Sequence, residues 1–147
     1  MKLNTLKADG WNNTRWCGPT ALAIITGRTL KFCHNKLARL EGKEPRYLKG
    51  VANCSMFAAL REMGFRYEFI KFRPRVYNPV NMTLRKYIEE VQITEHFRGI
   101  VLVEVTGHYV VINRGMVVDN HSTVPLPVRE HPMWRKQMNE AWFVERK

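Results

Sequence analysis

Three β-branched runs, GIVLVEV at 99–105, GHYVVINRG at 107–115 and MVVDNH at 116–121, leave this chain few options. Val and Ile are stiff at χ1 and fit a pleated surface, and the runs are too short and too closely punctuated to be helices. Thr106-Gly107 and Asn113-Arg114-Gly115 separate them. Asn and Gly accept positive φ, so HYVVIN and MVVDN are predicted to form a hairpin, with residue 108 near-opposite 119 or 120 by count. AWFVER (141–146) reads as a final strand and STVPLPVREHP (122–132) as a proline-rich loop.

The N-terminal half has a different period. In PTALAIITG, Pro19 suits a first helical turn, Ala21, Leu22, Ile24 and Ile25 supply an apolar face, and Gly27 stops the helix. A second short helix is predicted over CHNKLARLEG, ended by Gly42, and residues 43–52 read as a connection. NCSMFAALREMG is predicted helical with Asn53 or Ser55 as N-cap and Gly64 as the stop. FRYEFIKF reads as a strand, RPRVYNPVN as a loop, and MTLRKYIEEVQ as a helix capped by Thr83. Helices first and an antiparallel meander last make the class α+β. At 147 residues the chain is predicted to be a single domain, 1–147.

Composition narrows the function classes. With 45% hydrophobic residues the chain can bury a core, yet no stretch of about 18 apolar residues reads as a membrane span. MKLNTLKADGWNN has no apolar region after its lysines, so a secretory signal is not expected. Cys17, Cys33 and Cys54 make an odd set, read as thiols in a reducing, cytoplasmic setting. Cys33-His34, Cys54, His121 and His131 show no C-x-x-C or H-x-x-x-H spacing, so no metal or other cofactor is expected. Cys54 reads instead as a core thiol, and Trp134, Trp142 and Phe143 as packing residues. The net charge of +11 would attract an acidic protein or nucleic acid, but no RNP aromatic motif or zinc finger sharpens that.

Cys17 lies at the start of the first predicted helix, where backbone N–H groups and the helix dipole favour a thiolate. A nucleophilic thiol also needs a base, and the base an orienting group. His108, just after Gly107 at a strand start, can be aimed across a cleft, and Asp119 or Asn120 ends the paired strand. Taken singly each residue has a plainer reading: a buried thiol, a histidine bonded to a backbone carbonyl, a strand-ending Asp.

WCGPTALAIITG resembles the nucleophile helix of papain-like cysteine peptidases, in particular the double-glycine leader peptidases of bacteriocin exporters and their small stand-alone relatives. GHYVVINRGMVVDN resembles that family's second motif, a Gly-His-aromatic-Val-Val strand, a turn, and an apolar strand ending in Asp. The resemblance spans roughly residues 11 to 120. It implies a papain-like fold, N-terminal helices packed on a C-terminal antiparallel sheet, with Cys17 as nucleophile, His108 as general base and acid, and Asp119 orienting His108. Where the family usually has a glutamine, six residues before the cysteine, stands Trp11; Asn12 and Asn13 are the nearest amides to hold the oxyanion. The resemblance further implies a peptide or protein substrate, hydrolysed through a thioester without a cofactor, and a bacterial or phage setting. An acyltransferase, or a catalytically weak fold serving as a basic binding module, are the alternatives.

Overall fold

The computed structural model describes residues 16–70, 82–91 and 99–147. Helices α1 (Cys17–Thr26), α2 (Leu30–Leu40) and α3 (Asn53–Glu62) precede strand β1 (Phe65–Phe69). A helical turn, α4 (Leu84–Lys86), continues as a π-helical stretch Tyr87–Val91. Five strands follow: β2 (Ile100–Val105), β3 (His108–Asn113), β4 (Met116–Asp119), β5 (Ser122–Pro127) and β6 (Met138–Arg146). They form one six-stranded antiparallel sheet in the order β1-β6-β2-β3-β4-β5, so the last strand lies inside it, between β1 and β2.

Both faces of that sheet are covered, which explains why the strand runs are nearly continuous in Val and Ile. On one face Leu102, Tyr109, Val111, Val118, Trp142 and Val144 pack with Leu22, Ile24, Leu37, Met56 and Leu60 of the three helices. On the other, Val101, Val103, Val110, Ile112 and Val117 meet Leu84, Tyr87, Ile88 and Val128. Each fully buried aliphatic contributes about 1.5–3 kcal/mol, and this two-sided core fixes the strand register.

Local details depart from the sequence reading in instructive ways. Helix α2 begins three residues before Cys33 because Thr29 caps it, its Oγ1 accepting from the Phe32 N–H at 3.1 Å. Neither Asn53 nor Ser55 caps α3; Ala52 holds the N-cap position without a side-chain bond, and its N–H donates to Glu41 Oε1 at 2.8 Å. Thr83 does cap α4, accepting from the Lys86 N–H. Residues 122–127 are strand β5 rather than loop, and they form the sheet edge, where proline is tolerated because only one neighbouring strand draws on the backbone. Positive φ falls on Arg114 and Gly115, not on Asn113, which pairs with Met116. Cys54 is exposed and not a core thiol, whereas Cys33 is buried; Trp142 is buried, and Trp134 and Phe143 pack on the second core. The predicted loop 73–81 lies outside the described residues.

Candidate active site

Helix α1 is apolar on every side, and Gly18 through Thr26 are all buried. Such a helix has one seating in the core, and its first residue, Cys17, is thereby held at a fixed point beside β3. No side chain caps its N-terminus. Gly18 allows the close approach of residue 51, since a Cβ there would stand 2.7 Å from Val51 Cγ2 and 3.0 Å from its Cβ. Gly18→Ala is expected to cost about 1–3 kcal/mol in chemical denaturation, and Val51→Ala in the same chain to recover part of it. Additive losses would show that residue 51 does not set the fit.

His108 opens β3 directly after a turn in which Thr106 and Gly107 both have positive φ. Its neighbour Tyr109 anchors the strand to the helical layer, its hydroxyl lying within hydrogen-bond reach of Val51 O, at 3.1 Å, and of Asn53 Oδ1. The Asn53 amide in turn donates to Glu104 Oε2 at 3.1 Å and Glu140 Oε2 at 3.2 Å. This brace crosses from α3 to β2, β3 and β6, and no spacing in the sequence announces it.

Asp119 ends β4. The observed register, Val111 opposite Val118 and Ile112 opposite Val117, carried one step further brings Asp119 level with Val110, on the face that His108 shares two residues away. Diagonal neighbours at that spacing lie within reach of long side chains. The His108 Nε2 is 2.7 Å from Asp119 Oδ2, while Oδ1 accepts the His121 N–H at 2.9 Å. His131 adds its Nε2 at 3.0 Å from Oδ2, ion-pair distance but out of line for a hydrogen bond. Asn120 is buried beside Asp119, but the contact to His108 is made by the carboxylate.

His108, whose Nε2 is turned to Asp119, is also the side chain that hydrogen-bonds the Cys17 thiol. Burial by itself would raise the Cys17 pKa; the bond from His108, the Tyr109 and Gly18 backbone amides and the His108 charge outweigh it and bring the thiol below its ordinary value. Burial opposes charge on His108 too, yet Asp119 on one side and Cys17 on the other push it up to about 9. Desolvation likewise works against ionised Asp119, and is overcome by His108, His131 and the His121 N–H, which leave the carboxyl well below its usual range. Each of the three groups thus favours the charged form of the next.

His108, Asp119 and His121 offer three metal-ligand atoms within 4.8 Å of one another, a set that shares only His121 with the cysteines and histidines of the sequence reading. Two of them are engaged with each other at 2.7 Å, so a cation there would have to part them. Cys33 and His34 are used in packing, Cys33 near Thr26 Oγ1 and His34 against the Trp16 ring at 4.1 Å. Trp11, Asn12 and Asn13 lie outside the described residues. By sequence His131 suggests only a metal ligand; its place beside Asp119 depends on a loop return that leaves no periodic trace.

No protein-family profile and no curated sequence matches the chain. Among solved structures it is similar to the peptidase domain of Streptococcus ComA, a bi-functional ABC transporter involved in a quorum sensing pathway. The TM-score is 0.53 at 14% identity, over 92% of this chain and 95% of that one. The fold is therefore the papain-like one expected from the sequence, helices packed on an antiparallel sheet.

Proposed function

We propose that this chain is a cysteine hydrolase that cleaves a peptide or amide bond. The single observation that carries the reading is the line Cys17, His108, Asp119, in which a thiol at a helix start meets a histidine held from behind by a buried carboxylate. In that arrangement the Cys17 thiolate adds to the carbonyl carbon, and the oxyanion is held by the Cys17 backbone N–H and an amide from Asn12 or Asn13. The His108 imidazolium then gives its proton to the departing amine nitrogen as the C–N bond breaks, leaving a thioester. Neutral His108 next takes a proton from water, hydroxide oxygen adds to the thioester carbon, and the thiolate leaves as the acid product is released. An amine in place of water would make the same centre an acyltransferase. The likeness to a peptidase domain supports a peptide or protein as substrate, and the three free thiols fit a reducing cytoplasm. Among the described residues no helix is long and apolar enough to cross a membrane.

Labelling order tests this directly. Cys54 is exposed and Cys17 only half-exposed, so accessibility alone would put Cys54 first. Iodoacetamide at pH 7, followed by peptide mass spectrometry, is expected to modify Cys17 at least about tenfold faster than Cys54, because only the thiolate reacts. Labelling in order of exposure would sink the enzyme reading. The net charge of +11 supports a second reading, a basic binding module for an acidic protein or nucleic acid. Its signature would be anionic-polymer binding that falls steeply with salt and is untouched by Cys17→Ala.

A further inference from the structure

We propose that His131 is a positioning residue of this centre, its buried Nε2–H holding the Asp119 carboxylate in the orientation that grips His108. The inference rests on the reading of Cys17, His108 and Asp119 as the reactive line, and it begins from a proton. The Met133 backbone N–H donates to His131 Nδ1 at 3.0 Å, so that nitrogen keeps its lone pair and the ring proton of neutral His131 sits on Nε2. Nε2 lies 3.0 Å from Asp119 Oδ2, the same oxygen that His108 Nε2 reaches at 2.7 Å. His131 and Asp119 are each 1% exposed. Water therefore does not compete for the carboxylate, and a dipole aimed at it is weakly screened even when out of line for a hydrogen bond.

Geometry also explains why a second imidazole is useful there. Oδ1 is taken by the His121 N–H, so the carboxylate plane is set by a backbone amide on one oxygen and two histidines on the other. Turning the carboxylate away from His108 would break all three contacts. The groups that face Asp119 are His108 from β3, the His121 backbone from the β4–β5 turn and His131 from the stretch after the 3-10 turn Val128–Glu130; the His121 ring stands further out, 5.1 Å from the His108 ring and 6.0 Å from that of His131. His131 touches no reacting atom. It acts through Asp119, and the residues around it are held by the Trp134 N–H bond to its own carbonyl at 3.1 Å.

Two substitutions separate orientation from simple packing. His131→Asn places an amide oxygen where Nδ1 accepts from Met133, and leaves nothing facing Asp119. His131→Gln places an amide N–H where Nε2 was. In the full chain with isotope-labelled histidine, NMR is expected to show His131 as the Nε2–H tautomer. The His108 titration midpoint should fall by about one unit in H131N, with the acid limb of Cys17 alkylation moving accordingly, and stay within about 0.3 unit in H131Q. An Nδ1–H tautomer in the unsubstituted chain overturns the proposal, and so do H131N and H131Q profiles that coincide. Ordinary titration of His108 together with slow Cys17 alkylation in the unsubstituted chain is a different failure, that of the reactive line itself.

Discussion

Replacing His108 by alanine is expected to lower Cys17 alkylation at pH 6.5 by at least about tenfold, toward the rate of an ordinary thiol. The reason is the thiolate fraction: His108 lowers the Cys17 pKa below its ordinary value, and without that partner a thiol of pKa about 8.5 is roughly 1% ionised at this pH. Burial, which opposes the anion, would then act unopposed by its largest counterweight. Hydrolysis should fall further, by about 10⁴-fold or more, because the same residue protonates the leaving amine. Cys54 serves as the internal control, being exposed and unaffected by the change. Cys17 alkylation that stays fast in the variant would place its activation elsewhere.

Asp119→Asn is expected to lower hydrolysis by about 10⁴-fold while keeping the shape of the site, since an amide cannot hold the imidazolium and can select the wrong tautomer of His108. Its effect on stability has a defined pH window. The folded pKa of Asp119 is depressed, so its contribution is present above the ordinary 3.8 and is lost as pH falls below it toward the folded value. The His108 pKa is raised, so its contribution is complete below 6.5 and is lost as pH rises through about 9. Thermal melts from pH 3 to 10 should show the largest gap between the two proteins at about pH 4–6.5, on the order of 5 °C, narrowing on either side. A gap that grows between pH 7 and 9 would contradict the assigned direction of the His108 shift.

Cys17 and His108 could be singled out because local chemistry marks them: a cysteine opening an apolar helix, and a histidine beside a turn glycine at a strand start. Counting across the turn leads to Asp119 or Asn120, but only the register, with Arg114 and Gly115 as the turn residues, puts Asp119 on the His108 face. Cys54 shows the reverse case. Its helix is amphipathic, and one residue of error in the facing direction turns a buried thiol into an exposed one. Asn53, which by type suits a helix cap, is drawn instead to Tyr109, Glu104 and Glu140, because buried or half-buried partners distant in sequence outcompete a local backbone bond. Strand β5 was hidden by its prolines, whose place on an edge is visible only once the neighbouring strands are known.

What the sequence determined by itself is whatever is encoded within a turn or two of chain: the helix that carries Cys17, the hairpin that carries His108 and Asp119, and the division into helices and sheet. Tertiary structure decided the rest. The insertion of β6 between β1 and β2, the burial of both sheet faces, the Tyr109–Asn53 brace and the convergence of His108, His121 and His131 on one carboxylate all join residues far apart in the chain or across loops. Periodicity reports which side of an element is apolar, whereas the partner of a buried charge is chosen by the low-dielectric interior that forms only when the elements meet.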